Sequence, residues 1–214
     1  FADYAGGNTA TTLNPLRDTT GKVKRGKVFA PGGWTDQFMY VADDGEYDFT
    51  RTQGITISMW MHYNGQFTKT QNNQVLIGRG DPSTNYPAVF MMLGIDAALN
   101  SVFWQLRPNS TETVRGVNSN VGLVVGQWYH VVASYDGLTN TFNLWVNNSK
   151  TTGSHTFGSF DFTGGKKHDM NIGYWEQYAT NLFPFNGAMD EILIYKRAWS
   201  DAEVAQAYED GQAG

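Results

Sequence analysis

Two polar segments carry aromatic side chains in the arrangement that sugar recognition requires. One runs from Arg79 to Tyr86 (RGDPSTNY), and the other runs from Gly173 to Asn181 (GYWEQYATN). Sugar rings stack their C–H faces on aromatic rings, and their hydroxyls bond to planar amide, carboxylate and guanidinium groups. The candidate ligand-binding residues, which include the nearby Trp104, are Arg79, Asp81, Asn85, Tyr86, Trp104, Tyr174, Trp175, Gln177 and Tyr178.

The alternative for each aromatic residue is packing inside the protein. We interpret four tryptophans as core or sheet-packing residues: Trp60, Trp128, Trp145 and Trp199. Trp175 and Tyr178 differ, because polar residues flank them and no core partner is evident, so we expect them to contact ligand. The letters of Arg79-Gly80-Asp81 match an integrin-binding tripeptide, but we interpret them as a turn closed by Asp81-Pro82.

The sequence supports no catalytic constellation. Glycoside hydrolysis needs two carboxylates at a controlled separation, and the adjacent pair Asp190-Glu191 would face opposite ways on a strand. His130 follows Trp128-Tyr129 and is interpreted as a strand residue inside a β-sandwich. The chain has no cysteine and no serine in a GxSxG motif. We therefore expect a protein that is not an enzyme.

Composition limits the partners. The net charge is -5 and we identify no basic cluster, which argues against nucleic acid or an anionic membrane surface. No apolar stretch approaches the roughly 20 residues of a membrane span. The chain begins at Phe1 in a Gly/Thr/Asn-rich stretch, so we expect a domain cut from a longer exported protein. With no cysteine, the fold has no disulfide.

The hydrophobic pattern predicts strands joined by turns. Apolar residues alternate from Ile55 to Met61, with the period of two typical of a strand. Lys22–Phe29 and Phe38–Ala42 are predicted to form a strand pair, and Pro108–Asn120 a polar connection. Asn147-Asn148 closes a later hairpin, because asparagine tolerates positive φ.

The C-terminal segment predicts a strand followed by a short helix. The run from Met189 to Tyr195 suits a strand covered on both faces. Ser200 and Glu203 form a capping box, and Val204 and Tyr208 share one helix face. Gly211 is predicted to end the helix.

The same segment carries a family resemblance. Its pattern FxGxxDExxIYxRAxSxxE, from Phe185 to Glu203, resembles the C-terminal signature of laminin-G-like, concanavalin A-like jelly-roll domains. Gly54–Met61, Gly126–Lys150 and Asn171–Gly173 resemble further family segments in the same order. The resemblance implies an all-β fold, a concanavalin A-like β-sandwich of two antiparallel sheets with a short C-terminal helix. A single domain over residues 1–214 is expected.

The resemblance also implies a structural Ca²⁺ site. Family members often hold calcium through an acid at the position of Asp190, and Asp36 with carbonyl groups near Gly32 and Gly33 would complete it. The alternative for Asp190 is a carboxylate bonded to backbone N–H groups or to an arginine. The acidic segment Asp43–Asp48 is interpreted as a solvated turn rather than a second calcium loop.

These observations favour a non-catalytic carbohydrate-binding module or lectin domain that binds a polysaccharide or glycan. We expect it to be a monomeric domain of a secreted or cell-surface bacterial protein, either a polysaccharide-degrading enzyme or an adhesin. Two alternatives stay open, a polysaccharide lyase or glycoside hydrolase with degenerate motifs and a protein-binding adhesion module. The family's hydrolases carry ExDxxE, and this chain has Arg51 in place of the second glutamate.

Overall fold

The computed structural model describes residues 9–12, 15–29, 38–66, 73–80, 90–109, 111–160, 169–177 and 181–214. Its elements in chain order are β1 (Thr11–Thr12), β2 (Arg17–Thr20), β3 (Arg25–Phe29), β4 (Met39–Val41), β5 (Ile55–Tyr63), β6 (Gln74–Gly80), β7 (Phe90–Asp96), β8 (Ser101–Arg107), β9 (Arg115–Gly122), β10 (Gln127–Asp136), β11 (Thr141–Val146), β12 (Ser149–Ser154), β13 (Met170–Ile172), β14 (Glu176–Gln177), β15 (Asn181–Leu182), β16 (Gly187–Tyr195) and α1 (Asp201–Ala213).

The strands build two antiparallel sheets that face each other. Within the described residues, the first sheet has the strand order β1-β4-β13-β6-β7-β8-β9, and the second has the order β12-β11-β10-β5-β16-β3-β2. A small hairpin, β14–β15, stands apart from both. The predicted β-sandwich with a C-terminal helix is confirmed. No helix in the described ranges has the length and apolar character needed to cross a membrane.

The core lies between the sheets, and a smaller apolar layer lies under α1. On β5, Ile57 and Met59 are fully buried in the main core. Trp60 points to the opposite face of the second sheet and is only 2% exposed. The aromatic ring of Tyr208 on α1 stacks on Trp60 with 5.8 Å between centroids. The helix therefore buries a second face of β5, which explains why nearly every residue of this strand is buried.

The start of α1 follows the sequence prediction, and its end does not. The Ser200 hydroxyl accepts a hydrogen bond from the Glu203 N–H, and the Glu203 carboxylate accepts one from the Ser200 N–H. Val204 and Tyr208 face the sheet as predicted. The helix instead continues past Gly211 to Ala213. Gly211 lies against Trp60, and a Cβ at this position would be 2.2 Å from the indole Nε1. Gly211 serves close packing and not chain termination.

Strand pairing corrects two further predictions. β3 pairs with β2 and β16 in the second sheet, whereas β4 pairs with β1 and β13 in the first. The predicted pairing of Lys22–Phe29 with Phe38–Ala42 is therefore wrong. The segment Pro108–Asn120 contains most of β9, an edge strand whose mostly polar residues concealed it.

The closing strand β16 is covered on both faces only over its first half. Its residues are buried from Gly187 to Asp190, and the register shifts between Asp190 and Leu193. Glu191 has a φ of +49° at this bulge. Beyond it Leu193 and Tyr195 are 37% and 41% exposed. The bulge lets one strand pass from a region covered on both faces to a region that is open to solvent.

Candidate functional site

The described parts of the two segments predicted to bind ligand both adjoin β6 of the first sheet. The Gly173 N–H donates to the Leu76 carbonyl at 2.8 Å, and the Val75 N–H donates to the Phe183 carbonyl at 3.1 Å. These bonds fix the segment that carries β14 and β15 beside β6. The ring of Phe90, the first described residue after positions 81–89, lies 6.1 Å from the ring of Trp175. Described residues that border the two polar segments are therefore in contact although they are far apart in the chain.

Trp175 anchors this arrangement. Its side chain is 3% exposed and belongs to a cluster on the outer face of the first sheet with Val75, Phe90, Met92 and Phe103. The prediction that Trp175 lacks a core partner is wrong, because this outer cluster provides one. We assign Trp175 to positioning the β14–β15 hairpin, not to stacking against a ligand.

Two other predicted ligand aromatics are also buried. Trp104 is 0% exposed and lies in the main core, where its Nε1–H donates to the Ser134 carbonyl at 3.2 Å. Tyr174 is 6% exposed, and its ring stacks on Phe38 at 4.9 Å. Neither ring has a free face in the described structure, so both predictions of direct ligand contact need correction.

Arg79 is engaged by the acidic turn. Its guanidinium donates to the carboxylates of Asp43 at 3.1 Å and Asp48 at 2.6 Å, and to the Tyr47 carbonyl at 3.0 Å. The side chains of Arg79 and Asp43 are only 7% and 3% exposed. The turn Asp43–Asp48 is thus a partly buried clamp on Arg79. This corrects both the solvated-turn interpretation and the assignment of Arg79 to ligand.

The remaining predicted residues lie outside what the structure describes. This applies to Asp36, Asp81, Asn85, Tyr86 and Tyr178, and to the side chain of Gln177. Their assignments stay predictions. Among the described residues, Phe90 and Trp175, which border the segments bearing Tyr86 and Tyr178, have their rings 6.1 Å apart.

Asp190 is bound by backbone N–H groups. One carboxylate oxygen accepts from the Val23 N–H at 2.9 Å and the Lys24 N–H at 3.4 Å, and the other accepts from the Glu191 N–H at 2.9 Å. Gly21 leaves the room this contact needs, since a Cβ there would lie 2.2 Å from the carboxylate. Asp190 therefore ties the β2–β3 turn to the bulge of β16.

This surrounding does not fit a calcium site centred on Asp190. Ca²⁺ needs six to eight oxygen ligands, whereas the groups described around this carboxylate are N–H donors. No cluster of three or more metal-ligating side chains occurs in the described part of the chain. Asp36 is outside that part, so the calcium prediction stays a prediction.

Asp190→Asn is expected to lower the free energy of unfolding by about 1–3 kcal/mol, because an amide nitrogen would then face backbone N–H donors. Thermal unfolding with calcium and with EDTA tests the two interpretations. We expect the same loss under both conditions. A loss seen only when calcium is present would make Asp190 a metal ligand, and Asp36→Asn is the parallel test of the second predicted ligand.

A serine–histidine pair lies under α1. The Ser58 hydroxyl is 3.1 Å from His130 Nε2, and each residue is 2% exposed. The His130 ring packs against Trp60 and Tyr208 at 5.0 and 6.0 Å between centroids. Burial lowers the pKa of His130 to about 4. The helix closes this pair off from substrate, so it offers no nucleophile. His130 is a buried strand residue as predicted, but it lies under α1 on the outer face of the second sheet and not between the two sheets.

Comparison with known proteins places the fold. Residues 32–205 match a family model described as the concanavalin A-like lectin/glucanases superfamily. No curated protein sequence matches the chain.

Three solved structures are similar in fold. The binding domain of Paraclostridial Mosquitocidal Protein 1 has a TM-score of 0.71 at 13% identity, covering 97% of this chain and 48% of that one. Domain 4 of the extracellular arabinanase AbnA from Geobacillus stearothermophilus, solved with arabinotriose, has 0.66 at 18%, covering 94% and 87%. The binding domain of Botulinum Neurotoxin DC with SialylT has 0.69 at 11%, covering 99% and 48%. The chain thus spans about half the length of the toxin binding domains.

Proposed function

Because the chain belongs to the concanavalin A-like lectin/glucanases superfamily, we propose that it is a non-catalytic carbohydrate-binding module of a secreted or cell-surface protein. The observation that supports this proposal is the contact between residues that border two sequence-distant polar segments, where the rings of Phe90 and Trp175 lie 6.1 Å apart. Trp175 and the backbone bonds of Gly173 and Phe183 hold the β14–β15 hairpin beside β6. Tyr86 and Tyr178 are the aromatic residues that we assign to sugar stacking.

The solved relatives support the ligand class. The arabinanase domain is described with arabinotriose, and the neurotoxin domain with SialylT. Identities of 18% and 11% establish a shared fold only, so the sugar bound by this chain is part of the proposal. Loops grafted on such a scaffold decide the ligand.

The described acids support a binding role over hydrolysis. Asp43 and Asp48 bind Arg79, and Asp190 accepts three backbone N–H groups. Each of these carboxylates is engaged by at least one structural partner. A glycoside hydrolase would instead hold an acid and a base or nucleophile on the two sides of an open cleft.

The test is retention on a panel of immobilised neutral and acidic polysaccharides, with release of reducing ends measured in parallel. We expect retention without product. Tyr178→Ala and Tyr86→Ala should each weaken retention about two- to tenfold, the value of one aromatic contact. Tyr195→Ala is the matched control, since Tyr195 is 41% exposed on the distant strand β16.

Two outcomes would overturn the proposal. Retention on no glycan would favour the protein-binding adhesion module, and release of oligosaccharides would show an enzyme. Equal retention by the wild type and both tyrosine variants would move the sugar site away from these loops.

A further inference from the structure

Three aliphatic side chains are exposed at one end of the sandwich. Leu99 lies in the turn between β7 and β8 and is 62% exposed. Val124 and Val125 lie in the turn between β9 and β10 and are 60% and 61% exposed. Scattered exposed aliphatic residues are normal on soluble proteins, whereas adjacent ones can mark a contact surface. We call these two turns, residues 97–100 and 123–126, the apolar tip.

Hydrogen bonds join the two turns of the apolar tip. The Leu123 N–H donates to the Asn100 carbonyl at 3.0 Å, and the Asn100 side-chain amide donates to the Leu123 carbonyl at 2.7 Å. The Val124 N–H donates to the Tyr129 hydroxyl at 2.7 Å, which ties the second turn to β10. The exposed valines therefore stand on a backbone that the fold holds in place.

The apolar tip has no charged side chain. Neither turn contains Lys, Arg, Asp or Glu, and the neighbouring strand segments 60–66, 101–103, 117–122 and 127–132 contain none either. Asp96, at the end of β7, accepts hydrogen bonds from the Ala98 and Leu99 N–H groups at 2.9 and 3.0 Å, so its carboxylate serves the turn itself. The chain as a whole has 20 acidic and 15 basic residues. These charges are thus concentrated away from the tip.

The opposite end of the sandwich is charged. Register places Tyr63, the last residue of β5, beside Gln127 at the tip end, and Ile55, the first, beside Tyr135 at the other end. The two ends are about 30 Å apart along this strand. At the far end lie Asp136 and, directly after β16, Lys196 and Arg197. The uncharged end of the molecule is therefore the end that exposes adjacent aliphatic side chains.

An aromatic side chain stands beside the apolar tip. Trp128 lies three residues after Val125 and is partly exposed. Its ring meets the ring of His62 edge to face, with 5.2 Å between centroids. Tryptophan is enriched where the apolar layer of a membrane meets water, because its ring is apolar and its N–H is polar. The tip and Trp128 together have the order of groups that a lipid surface presents, from apolar to polar.

The small size of the apolar tip argues against a protein partner. A stable protein interface takes roughly 20–30 residues from each side, whereas the tip offers three exposed aliphatic side chains on the ends of two turns. A fluid layer accepts such protruding side chains without a matching pocket. The absence of charge on the tip also matches a surface that has no net charge, since no ion would have to leave water.

We propose that the apolar tip binds peripherally to an uncharged lipid surface. Leu99, Val124 and Val125 enter the boundary between headgroups and acyl chains, and Trp128 lies at the headgroup level. Loss of apolar surface from water drives the contact. The net charge of -5, which argues against an anionic membrane, does not oppose a zwitterionic one. The inference is independent of the proposed carbohydrate binding, because none of these residues is assigned to sugar.

Co-sedimentation with phosphatidylcholine vesicles measures the affinity of the chain for lipid. Val124→Ser/Val125→Ser should weaken binding about tenfold, because two valine side chains no longer contribute apolar surface. Leu138→Ser is the matched control, since Leu138 is 73% exposed in the turn between β10 and β11 at the charged end. Its binding should equal that of the wild type. Leu99→Ser repeats the test in the other turn, so a folding defect of the double variant in thermal unfolding leaves the proposal testable.

Lipid charge and salt distinguish this contact from an electrostatic one. Binding should persist at high salt and should not increase when phosphatidylserine is added, because the tip has no cation. Stronger binding to the anionic vesicles that disappears at high salt would place the contact on a basic surface elsewhere and overturn the proposal.

Three other outcomes would overturn the proposal. They are no sedimentation of the wild type with phosphatidylcholine vesicles, equal binding by the wild type and the tip variants, and equal losses in Leu138→Ser and the double variant. A dimer in analytical ultracentrifugation that Val124→Ser/Val125→Ser abolishes would instead make the tip an interface between two copies. Retention on polysaccharides, measured in parallel, should be the same for the wild type and the tip variants. Failure of lipid binding would therefore leave the proposed function intact.

Discussion

Arg79→Met is expected to lower the free energy of unfolding by about 3–5 kcal/mol. Arg79 donates hydrogen bonds to the Asp43 and Asp48 carboxylates and to the Tyr47 carbonyl. Removing the guanidinium leaves the Asp43 carboxylate, 3% exposed, without its counter-charge. Breaking one partner of a buried ion pair is costly because the other charge stays desolvated. Urea unfolding at neutral pH measures the loss.

The matched control is Arg115→Met, at an exposed position on β9, where the change should stay within about 0.5 kcal/mol. Adding Asp43→Asn to Arg79→Met should recover part of the loss, because the unpaired charge is then gone. A loss of unfolding free energy under 1 kcal/mol together with lost glycan retention would contradict the structural role of the Arg79 ion pairs. It would return Arg79 to the ligand site.

Acid is expected to weaken the fold through His130. Its pKa is about 4 in the folded protein against 6.5 for the exposed group. The unfolded chain therefore binds a proton at a higher pH than the folded chain does. The resulting stabilisation is complete above pH 6.5 and decreases as the pH falls toward 4, by about 3 kcal/mol in total.

The geometry gives the reason for this shift. The His130 ring lies between Trp60 and Tyr208 and contacts the Ser58 hydroxyl. Among the described residues none of these neighbours is an acid, and Asp190, on the same face two strands away, is committed to backbone N–H groups. A protonated imidazole would therefore be buried without a counter-ion.

Chemical denaturation at pH 7, 5.5 and 4.5 tests the prediction, with His130→Gln as the comparison. The variant should lose stability at pH 7, because it loses ring packing, and its stability should depend less on pH over this range. An identical slope for the wild type and the variant would contradict the assignment. The other histidines would then have to account for the slope.

The site illustrates what residue spacing can predict. Two loops with sugar-binding composition were identified from residue types alone, and the structure brings their supports together. The aromatic residues nearest those supports, Trp104 and Trp175, proved to be buried. Aromatic rings suit both a core and a sugar platform, so their type alone cannot separate the two roles. Trp128, interpreted as a packing residue, is half-exposed, and its ring meets that of His62 edge to face.

Features that depend on near neighbours in the chain could be predicted from the residues alone. The Ser200–Glu203 capping box, the alternation along β5 and the positive φ of Asn147 and Asn148 each involve only a few residues. Family membership followed from such local signatures read in order. These features are encoded locally because helix caps, strand periods and turns are stabilised by contacts within a few positions.

Which face of each element is covered depends instead on long-range packing. The helix α1 packs over Trp60 and His130 and buries both side chains. Gly211 lies within this helix, in close contact with Trp60. Strand order places β3 and β4 in different sheets, and the fold joins Arg79 to the distant Asp43. These outcomes depend on contacts between residues far apart in the chain. The burial of each such residue depends on which element packs over it.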